Sequence, residues 1–194
     1  MSKKVWYVCY GSNLLEKRFL CYIKGGIMPG SLYGERGAKN QRLPERIEPC
    51  IIHHELFFAY NIPKWNGSGV AFIDSNFSDQ ACTYAKKYLI EEEQFWDVVR
   101  QENGIEENVP IEIDYNELKK NGSMVIFKDK LYGKIVYFGD ADEIPMYSFT
   151  CFPASEEINK MPLYGPYYEV ISDGLKETYN FSDQEIEEYL RKYK

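Results

Sequence analysis

The chain has few of the residues that metal sites and disulfide scaffolds need. It contains two histidines, His53 and His54, and five cysteines without any CxxC spacing. Two adjacent histidines cannot build a histidine-rich metal site, because neighbours on a strand point to opposite faces. An odd number of unpatterned cysteines does not indicate a zinc ribbon or a disulfide framework. We therefore expect a reduced, cytoplasmic protein.

Basic charge and long apolar runs are also scarce. Lys and Arg number 23 against 30 for Asp and Glu, which gives a net charge of −7. That balance argues against broad binding to nucleic acid or to an anionic membrane, since both need a basic surface. No apolar run approaches the roughly 20 residues that span a bilayer, and the first residues do not have the pattern of a secretory signal.

The common nucleotide-binding and hydrolase motifs are missing as well. The sequence has neither GxxxxGK[ST] nor GxGxxG, and it has no GxSxG nucleophile elbow. Cys9 lies in the first predicted strand with nothing electropositive near it in sequence. Since a reactive thiolate needs an electropositive, partly open setting, we expect Cys9 to be a buried structural residue.

What the chain does have is the composition of an ordinary globular domain. It has 194 residues, of which 44% are hydrophobic and 27% charged. A chain of this size buries roughly 70% of its unfolded surface, so we expect a single domain over residues 1–194. Aromatic residues make up 16%, with 17 tyrosines, which favours β structure and pocket walls that carry hydroxyl groups.

The hydrophobic pattern predicts many strands with helices inserted early, in the middle and late. Predicted strands cover about 5–10, 55–60, 70–74, 81–90, 109–113, 124–127, 135–138 and 146–150. Predicted helices cover about 14–23, 91–102, 166–176 and 183–193. Residues 26–50 are rich in glycine, proline and charge and are predicted to be a long loop. Because no regular βαβ alternation appears, we predict an α+β fold with a small, mixed or antiparallel barrel-like sheet and flanking helices.

The first candidate site is the segment from Tyr10 to Leu14, where a strand runs through a tight turn into a helix. Asn13 is placed to cap that helix, with Glu16 at the capping-box position. Free N–H groups at a helix start favour an anion, and Gly11 would let a ligand approach the backbone closely. An ordinary capped strand–turn–helix, without any ligand, explains the same pattern.

The second candidate is Glu102. With Phe95, Val98 and Val99 it falls at i, i+3, i+4 and i+7, so its carboxyl lies on the buried stripe of its helix. Burial there would raise the carboxyl pKa toward the range that suits general acid–base catalysis. The alternative is that the helix frays and Glu102 turns to solvent or pairs with a cation.

Two further residues have a structural and a functional interpretation. Tyr167 lies on a second apolar helical stripe, from which its hydroxyl could reach a pocket, although a tyrosine there is more often part of the core. Gly69 follows a glycine-rich loop and could allow a ligand to approach the backbone, but it could equally be a plain loop residue.

Together these segments resemble the γ-glutamylcyclotransferase family, which includes the AIG2-like proteins. The resemblance is carried by the YGSN block in a first strand, a glycine-led strand at 69–72, a helix that ends in Gln101-Glu102, and a late helix with Tyr167 and Gly174. It covers residues 5 to about 176, and several shorter matches resemble a bacterial branch of the family whose substrates are largely undefined. Asn103 stands where the family often has glycine, and residues 24–50 are longer than in compact members.

The resemblance implies an enzyme that cyclises the γ-glutamyl group of a γ-glutamyl amine to 5-oxoproline and releases the amine. Glu102 would be the catalytic acid–base. Substrate-binding residues would be Tyr10, Gly11, Ser12, Asn13, Leu14, Gly69 and Tyr167. Such a reaction is intramolecular and implies no cofactor and no metal. The partner would be a small γ-glutamyl amine rather than nucleic acid or a membrane.

Two other functions remain open from the sequence. A binding module could keep the pocket for a small metabolite without turnover, and an amide or ester hydrolase could use the same pocket with water as nucleophile. The amine half of the substrate, the role of loop 24–50 and the existence of a homodimer also remain open.

Overall fold

The computed structural model describes residues 3–28, 33–153 and 155–193. Its strands are β1 Lys4–Cys9, β2 Gly26–Ile27, β3 Gly34–Glu35, β4 Arg46–Ile52, β5 Leu56–Ala59, β6 Val70–Ile73, β7 Thr83–Glu91, β8 Ser123–Val125, β9 Lys134–Ala141 and β10 Ile144–Thr150. Its helices are α1 Glu16–Lys24, α2 Glu92–Glu102, α3 Tyr115–Asn121, α4 Gly165–Tyr179 and α5 Asp183–Leu190. The mixture of strands and helices confirms the predicted α+β class.

Six strands form one mixed sheet in the order β4-β7-β1-β10-β9-β8. β1 pairs in parallel with β10 and antiparallel with β7, and the remaining pairs are antiparallel. β5 and β6 form a separate two-stranded sheet, as do β2 and β3. Among the described residues the six-stranded sheet has two free edges, β4 and β8, so the expected barrel-like closure is not present there.

β1 owes its central place to its sequence. Residues 5–9 are all buried. The strand has neighbours on both sides and is covered on both faces, and a strand in such a place needs a continuous apolar sequence. The Tyr7 ring packs 5.5 Å from the Phe19 ring of α1 and 5.5 Å from the Phe149 ring of β10. The end of β1 is thereby fixed between a helix and the neighbouring strand.

Helix α2 begins with a reciprocal capping arrangement and packs its apolar stripe into the core. The Glu91 side chain accepts a hydrogen bond from the Gln94 backbone, and the Gln94 side chain accepts one from the Glu91 backbone at 3.0 Å. Phe95, Val98 and Val99 are fully buried, as the helical spacing predicts. This packing determines where the last residue of the helix lies.

The structure differs from the predicted elements in residues 26–50 and in residues 109–121. The predicted loop contains the short strands β2 and β3 and most of β4. β4 is an edge strand, where Pro49 is tolerated and exposed side chains mask the strand pattern. Residues 109–113 are not a strand. Helix α3 follows them, and its N-cap Asp114 accepts hydrogen bonds from the backbone of Asn116 and Glu117. Residues 29–32 of the predicted loop lie outside the described residues.

The helices were also compared with the requirements of a membrane. No helix in the described ranges is both long enough and apolar enough to cross a bilayer.

Candidate functional site

The turn after β1 does not cap its helix as the sequence suggests. Ser12–Leu14 form one turn of 3-10 helix, and the N-cap of α1 is Leu15, which has no side-chain hydrogen bond. The prediction that Asn13 caps the helix is therefore wrong. Instead Asn13 is 3% exposed and its Nδ2 donates to the Tyr7 hydroxyl at 3.0 Å and to Glu102 Oε1 at 3.3 Å. The two candidate segments of the sequence thus meet in one hydrogen-bonded cluster.

Glu102 is the last residue of α2 and is partly buried. Burial raises the pKa of its carboxyl above the ordinary value, although the charge of Arg18 and a hydrogen bond from the Tyr22 hydroxyl act in the opposite direction. A carboxyl of this kind can hold or release a proton more readily near neutral pH than an exposed one.

Two cavities meet at Glu102. The smaller has a volume of about 20 Å³, room for about one water molecule, and is lined by the turn, by Tyr7 and Tyr10, and by Phe149. The larger has a volume of about 140 Å³ and extends toward Arg18 and Lys64. Ser12, Glu102, Tyr132 and Tyr167 line both cavities. A ligand at this junction would contact the turn and the carboxylate at once.

The Tyr167 hydroxyl is held by a backbone donor. Its oxygen accepts a hydrogen bond from the backbone N–H of Ala71 at 3.1 Å. Burial raises the pKa of Tyr167 to about 12, so the phenol is neutral. A neutral phenol keeps a proton that it can donate into the cavity.

Gly11 is needed for that arrangement. A Cβ at position 11 would lie 2.9 Å from the Tyr167 hydroxyl oxygen and 3.1 Å from Ala71 Cβ. Because position 11 has no side chain, the Tyr167 hydroxyl can pack directly against the turn that contains Ser12.

Three other predicted binding residues have different surroundings. Tyr10 lines the smaller cavity, but its hydroxyl donates to the Phe149 carbonyl at 2.6 Å. Leu14 is buried beneath the turn, where it faces Gly174. Gly69 lines neither cavity; a Cβ there would lie 2.6 Å from the Met161 carbonyl oxygen, so its small size serves chain packing.

Sequence reasoning missed a group of charged residues in the larger cavity. Arg18 is 3% exposed, and its Nη2 lies 2.8 Å from Glu35 Oε1. Lys64 Nζ lies 2.7 Å from the same oxygen. A signal for Arg18 existed, because it precedes Phe19 and Tyr22 within the apolar stripe of α1. Glu35 and Lys64 lie in segments without periodicity, so no sequence signal placed them here.

Cys9 lies at the end of β1 and lines the smaller cavity. Cys9 is buried, and burial raises the pKa of its thiol well above the ordinary value, in agreement with the expected structural cysteine. Within the part of the chain that the structure describes, no group of three or more His, Cys, Asp or Glu side chains is placed to hold a metal ion.

The proteins that this chain resembles include one similar sequence and several similar structures. No family model matches the chain. Histone deacetylase 5 of Arabidopsis thaliana is 32% identical over 202 residues, which cover 97% of this chain. The chain spans about 30% of the length of that relative, so the match describes a segment of a longer protein.

The structural neighbours are distant in sequence and cover nearly the whole chain. One is a gamma-glutamyl cyclotransferase, with a TM-score of 0.52 and 16% identity over 99% of this chain and 89% of the other. Another is an uncharacterised protein from Homo sapiens, with a TM-score of 0.55 and 17% identity over the same shares. The chain therefore has the gamma-glutamyl cyclotransferase fold.

Proposed function

We propose that this protein is a γ-glutamylcyclotransferase-type enzyme of the cytoplasm that converts a γ-glutamyl amine to 5-oxoproline and the free amine. The observation that carries the proposal is the contact of 3.3 Å between Asn13 Nδ2 and Glu102 Oε1. It places a glycine-containing backbone turn and a partly buried carboxylate on one cavity, in a fold that a gamma-glutamyl cyclotransferase shares.

The substrate's α-amino-acid group would lie in the larger cavity, at its junction with the turn and Glu102. Its carboxylate would lie near the backbone N–H groups of the turn formed by Gly11, Ser12 and Asn13. Asn13 Oδ1 is buried and accepts no hydrogen bond from any described residue. A buried acceptor without a donor is unfavourable, and the substrate's α-ammonium would supply that donor beside Glu102.

The proposed reaction moves two protons from the α-nitrogen to the leaving nitrogen. Ionised Glu102 takes one proton from the α-ammonium, and the neutral amine nitrogen attacks the γ-carbonyl carbon of the same molecule. A ring C–N bond forms, the ring nitrogen becomes positively charged, and the oxygen takes on negative charge, which N–H groups of the turn or the Tyr167 hydroxyl would stabilise. Glu102 protonates the leaving nitrogen as the carbonyl re-forms and the bond from that nitrogen to the γ-carbon breaks. The ring nitrogen then gives up its second proton to ionised Glu102, which passes it to the released amine as that amine becomes an ammonium ion. Because the attack is intramolecular, the site mainly has to fold the substrate and move the proton.

The test is a product assay by mass spectrometry with a panel of γ-glutamyl amines, including γ-glutamyl amino acids, glutathione and a γ-glutamyl polyamine. We expect 5-oxoproline from the wild type and a loss of about 10²–10⁴-fold in kcat/KM for Glu102→Gln. The matched control is Glu93→Gln, the same change at an exposed position of the same helix; it should keep wild-type activity.

Three outcomes would contradict the proposal. Glutamate as the product would mean hydrolysis by water instead of cyclisation. Full activity in Glu102→Gln would remove the acid–base role. Binding of 5-oxoproline without turnover of any panel member would indicate a binding module.

A further inference from the structure

A line of polar contacts leads from Glu102 through the larger cavity. The Tyr22 side chain lines the same cavity as Glu102, where its hydroxyl is placed to donate to the carboxylate. Arg18 Nη2 donates to the Tyr22 oxygen at 2.5 Å and to Glu35 Oε1 at 2.8 Å. Lys64 Nζ donates to the same Glu35 oxygen at 2.7 Å. Four side chains from three separate segments are thus linked to Glu102 in series.

The chemistry of these groups fixes the direction of the hydrogen bonds. A guanidinium is always charged and can only donate, so the Tyr22 oxygen is the acceptor from Arg18. Tyr22 has a single proton, and the Glu102 carboxylate in the same cavity is the acceptor that it is placed to reach. Such an interaction is strongest when Glu102 is ionised.

Burial makes this arrangement a permanent part of the site. Arg18 and Tyr22 are 3% and 2% exposed, and the guanidinium lies 4.4 Å from the centre of the Tyr22 ring. The charge of Glu35 offsets that of Arg18, and Lys64 closes the group toward the more exposed side of the cavity. Such a group would be unfavourable if it served packing alone, because burying charges has a large desolvation penalty.

We propose that Tyr22 and Arg18 are positioning residues that hold Glu102 in the ionised form and orientation needed to accept the substrate's proton. The proposal rests on the function proposed above. It adds which residues keep Glu102 ionised and oriented so that it can act as the base. Neither residue needs to contact the reacting atoms. Glu35 and Lys64 act one step further away, by fixing the guanidinium of Arg18.

Several groups face Glu102 and can influence the pKa of its carboxyl. From α1 these are Arg18 and Tyr22, from β3 Glu35, from the turn at 63–65 Lys64, from β1 Tyr7, from the residue after β1 Tyr10, from the segment before β9 Tyr132, and from α4 Tyr167. Burial and the charge of Glu35 raise the Glu102 pKa, whereas Arg18, Tyr22 and Lys64 lower it. Loss of the Tyr22 hydroxyl should therefore raise it further.

The first test compares the pH dependence of kcat/KM in the wild type and in Tyr22→Phe. This change keeps the ring against Arg18 and removes only the hydroxyl. We expect the acidic limb of the profile to move to higher pH, with activity about tenfold lower on that limb and recovering toward alkaline pH. A uniform loss at every pH, with the limb unmoved, would overturn the proposal.

Two further sets of variants separate positioning from general structural effects. Tyr179→Phe is the matched control. The Tyr179 hydroxyl oxygen lies 2.6 Å from the carbonyl oxygens of Cys50 and Ala85, to one of which it donates, and it lies outside both cavities. The acidic limb of this variant should stay at the wild-type pH. Arg18→Lys should move the limb less than Arg18→Met, because it keeps the charge. Equal movement in both would contradict the role of that charge.

The second test needs no substrate. The wild-type protein is labelled with ¹³C at glutamate carboxyl carbons, the Glu102 signal is assigned by its loss in Glu102→Gln, and its titration is followed by NMR. We expect the Glu102 titration to move to higher pH in Tyr22→Phe and to stay unchanged in Tyr179→Phe. Turnover without such a shift would refute the positioning role, whereas a shift in a protein that turns over no γ-glutamyl amine would refute the proposed function and leave the control of Glu102 ionisation in place.

Discussion

At the scale of single residues, the site depends on side chains whose partners are distant in sequence. Spacing along the helix predicted that Glu102 faces the interior, and the structure places it partly buried at the helix end. Spacing could not show that the Asn13 amide leaves its own helix to reach Glu102, because that choice depends on β1 and α2 being packed side by side. Local rules favour a cap, and tertiary contacts override them.

The ionisation of Glu102 has a consequence for stability as well as for activity. A carboxyl whose folded-state pKa is raised favours the folded state below its unfolded-state pKa, and that contribution is lost as pH rises through the folded-state pKa. Near neutral pH the ionised Glu102 side chain therefore lowers the free energy of unfolding. We expect Glu102→Gln to raise the free energy of unfolding by about 1 kcal/mol at pH 7–8, measured by urea unfolding.

The same experiment contains its own controls. The difference between Glu102→Gln and the wild type should shrink at about pH 4, where both side chains are neutral. Glu93→Gln, at an exposed site on the same helix, should change stability little at either pH. A destabilised Glu102→Gln at neutral pH would show that the carboxylate is favourable in the folded protein.

At the scale of elements, two packing contacts hold the site together. At the end of α2, Asn103 Nδ2 donates to the Tyr132 carbonyl at 3.1 Å, and its Oδ1 accepts from the Tyr132 backbone N–H at 2.9 Å. This clamp gives a physical role to a residue that departs from the glycine often found there in the resembled family. On the other side, Gly174 of α4 lies directly against the turn at Leu14 and Leu15.

Gly174→Ala tests the contact between α4 and the turn. A Cβ at position 174 would lie 2.7 Å from Leu15 N and 2.8 Å from Leu14 C, so backbone atoms would have to move. Overpacking typically costs about 1–3 kcal/mol, against about 1 kcal/mol gained from the helix propensity of alanine. We expect a net loss of up to about 2 kcal/mol in the free energy of unfolding and a lower kcat/KM, because the turn carries Ser12 and Asn13.

The control for this prediction is Asp173→Ala, an exposed neighbour in the same helix. It should keep activity and gain slightly in stability from helix propensity. If Gly174→Ala were as stable and as active as Asp173→Ala, α4 would not constrain the turn.

At the scale of the whole molecule, the sequence predicted the composition of the fold better than its arrangement. Seven of the predicted strands overlap observed strands, because their apolar runs are bounded by glycine, proline or polar residues. β4 was missed because an edge strand with alternating exposed residues and Pro49 looks like a loop. The order of the six-stranded sheet and the Arg18–Glu35–Lys64 group arise from long-range packing, for which one sequence holds no periodic signal.

The ion pairs of Glu35 join α1, β3 and the turn at 63–65, so they bear on global stability. Burial would raise the pKa of Glu35, but Arg18 and Lys64 outweigh it and the pKa is lowered. Its contribution to stability is therefore complete above the unfolded-state pKa and is lost as pH falls through the lower folded-state pKa.

We expect Glu35→Gln to lower the free energy of unfolding at pH 7 by about 3 kcal/mol, because it leaves Arg18 buried without its anion. Urea unfolding between pH 7 and pH 3 should show a smaller fall in stability for the variant than for the wild type. Glu106→Gln, at an exposed position, serves as the control and should follow the wild-type curve. Parallel curves for wild type and Glu35→Gln would show that Glu35 does not supply the pH dependence.

The parallel pairing of β1 with β10 also constrains how the site is assembled during synthesis. Trp6 pairs with Met146, so at about 5–20 residues per second the ribosome delivers this neighbour of β1 roughly 7–28 s after β1 itself. Until then an apolar strand has an unpaired edge, a state that invites aggregation or chaperone binding. The turn with Asn13 follows directly on β1 and takes its position from it. A nascent chain that has not yet made β10 therefore cannot hold a finished site, and the site must wait further for α4, which brings Tyr167 to both cavities.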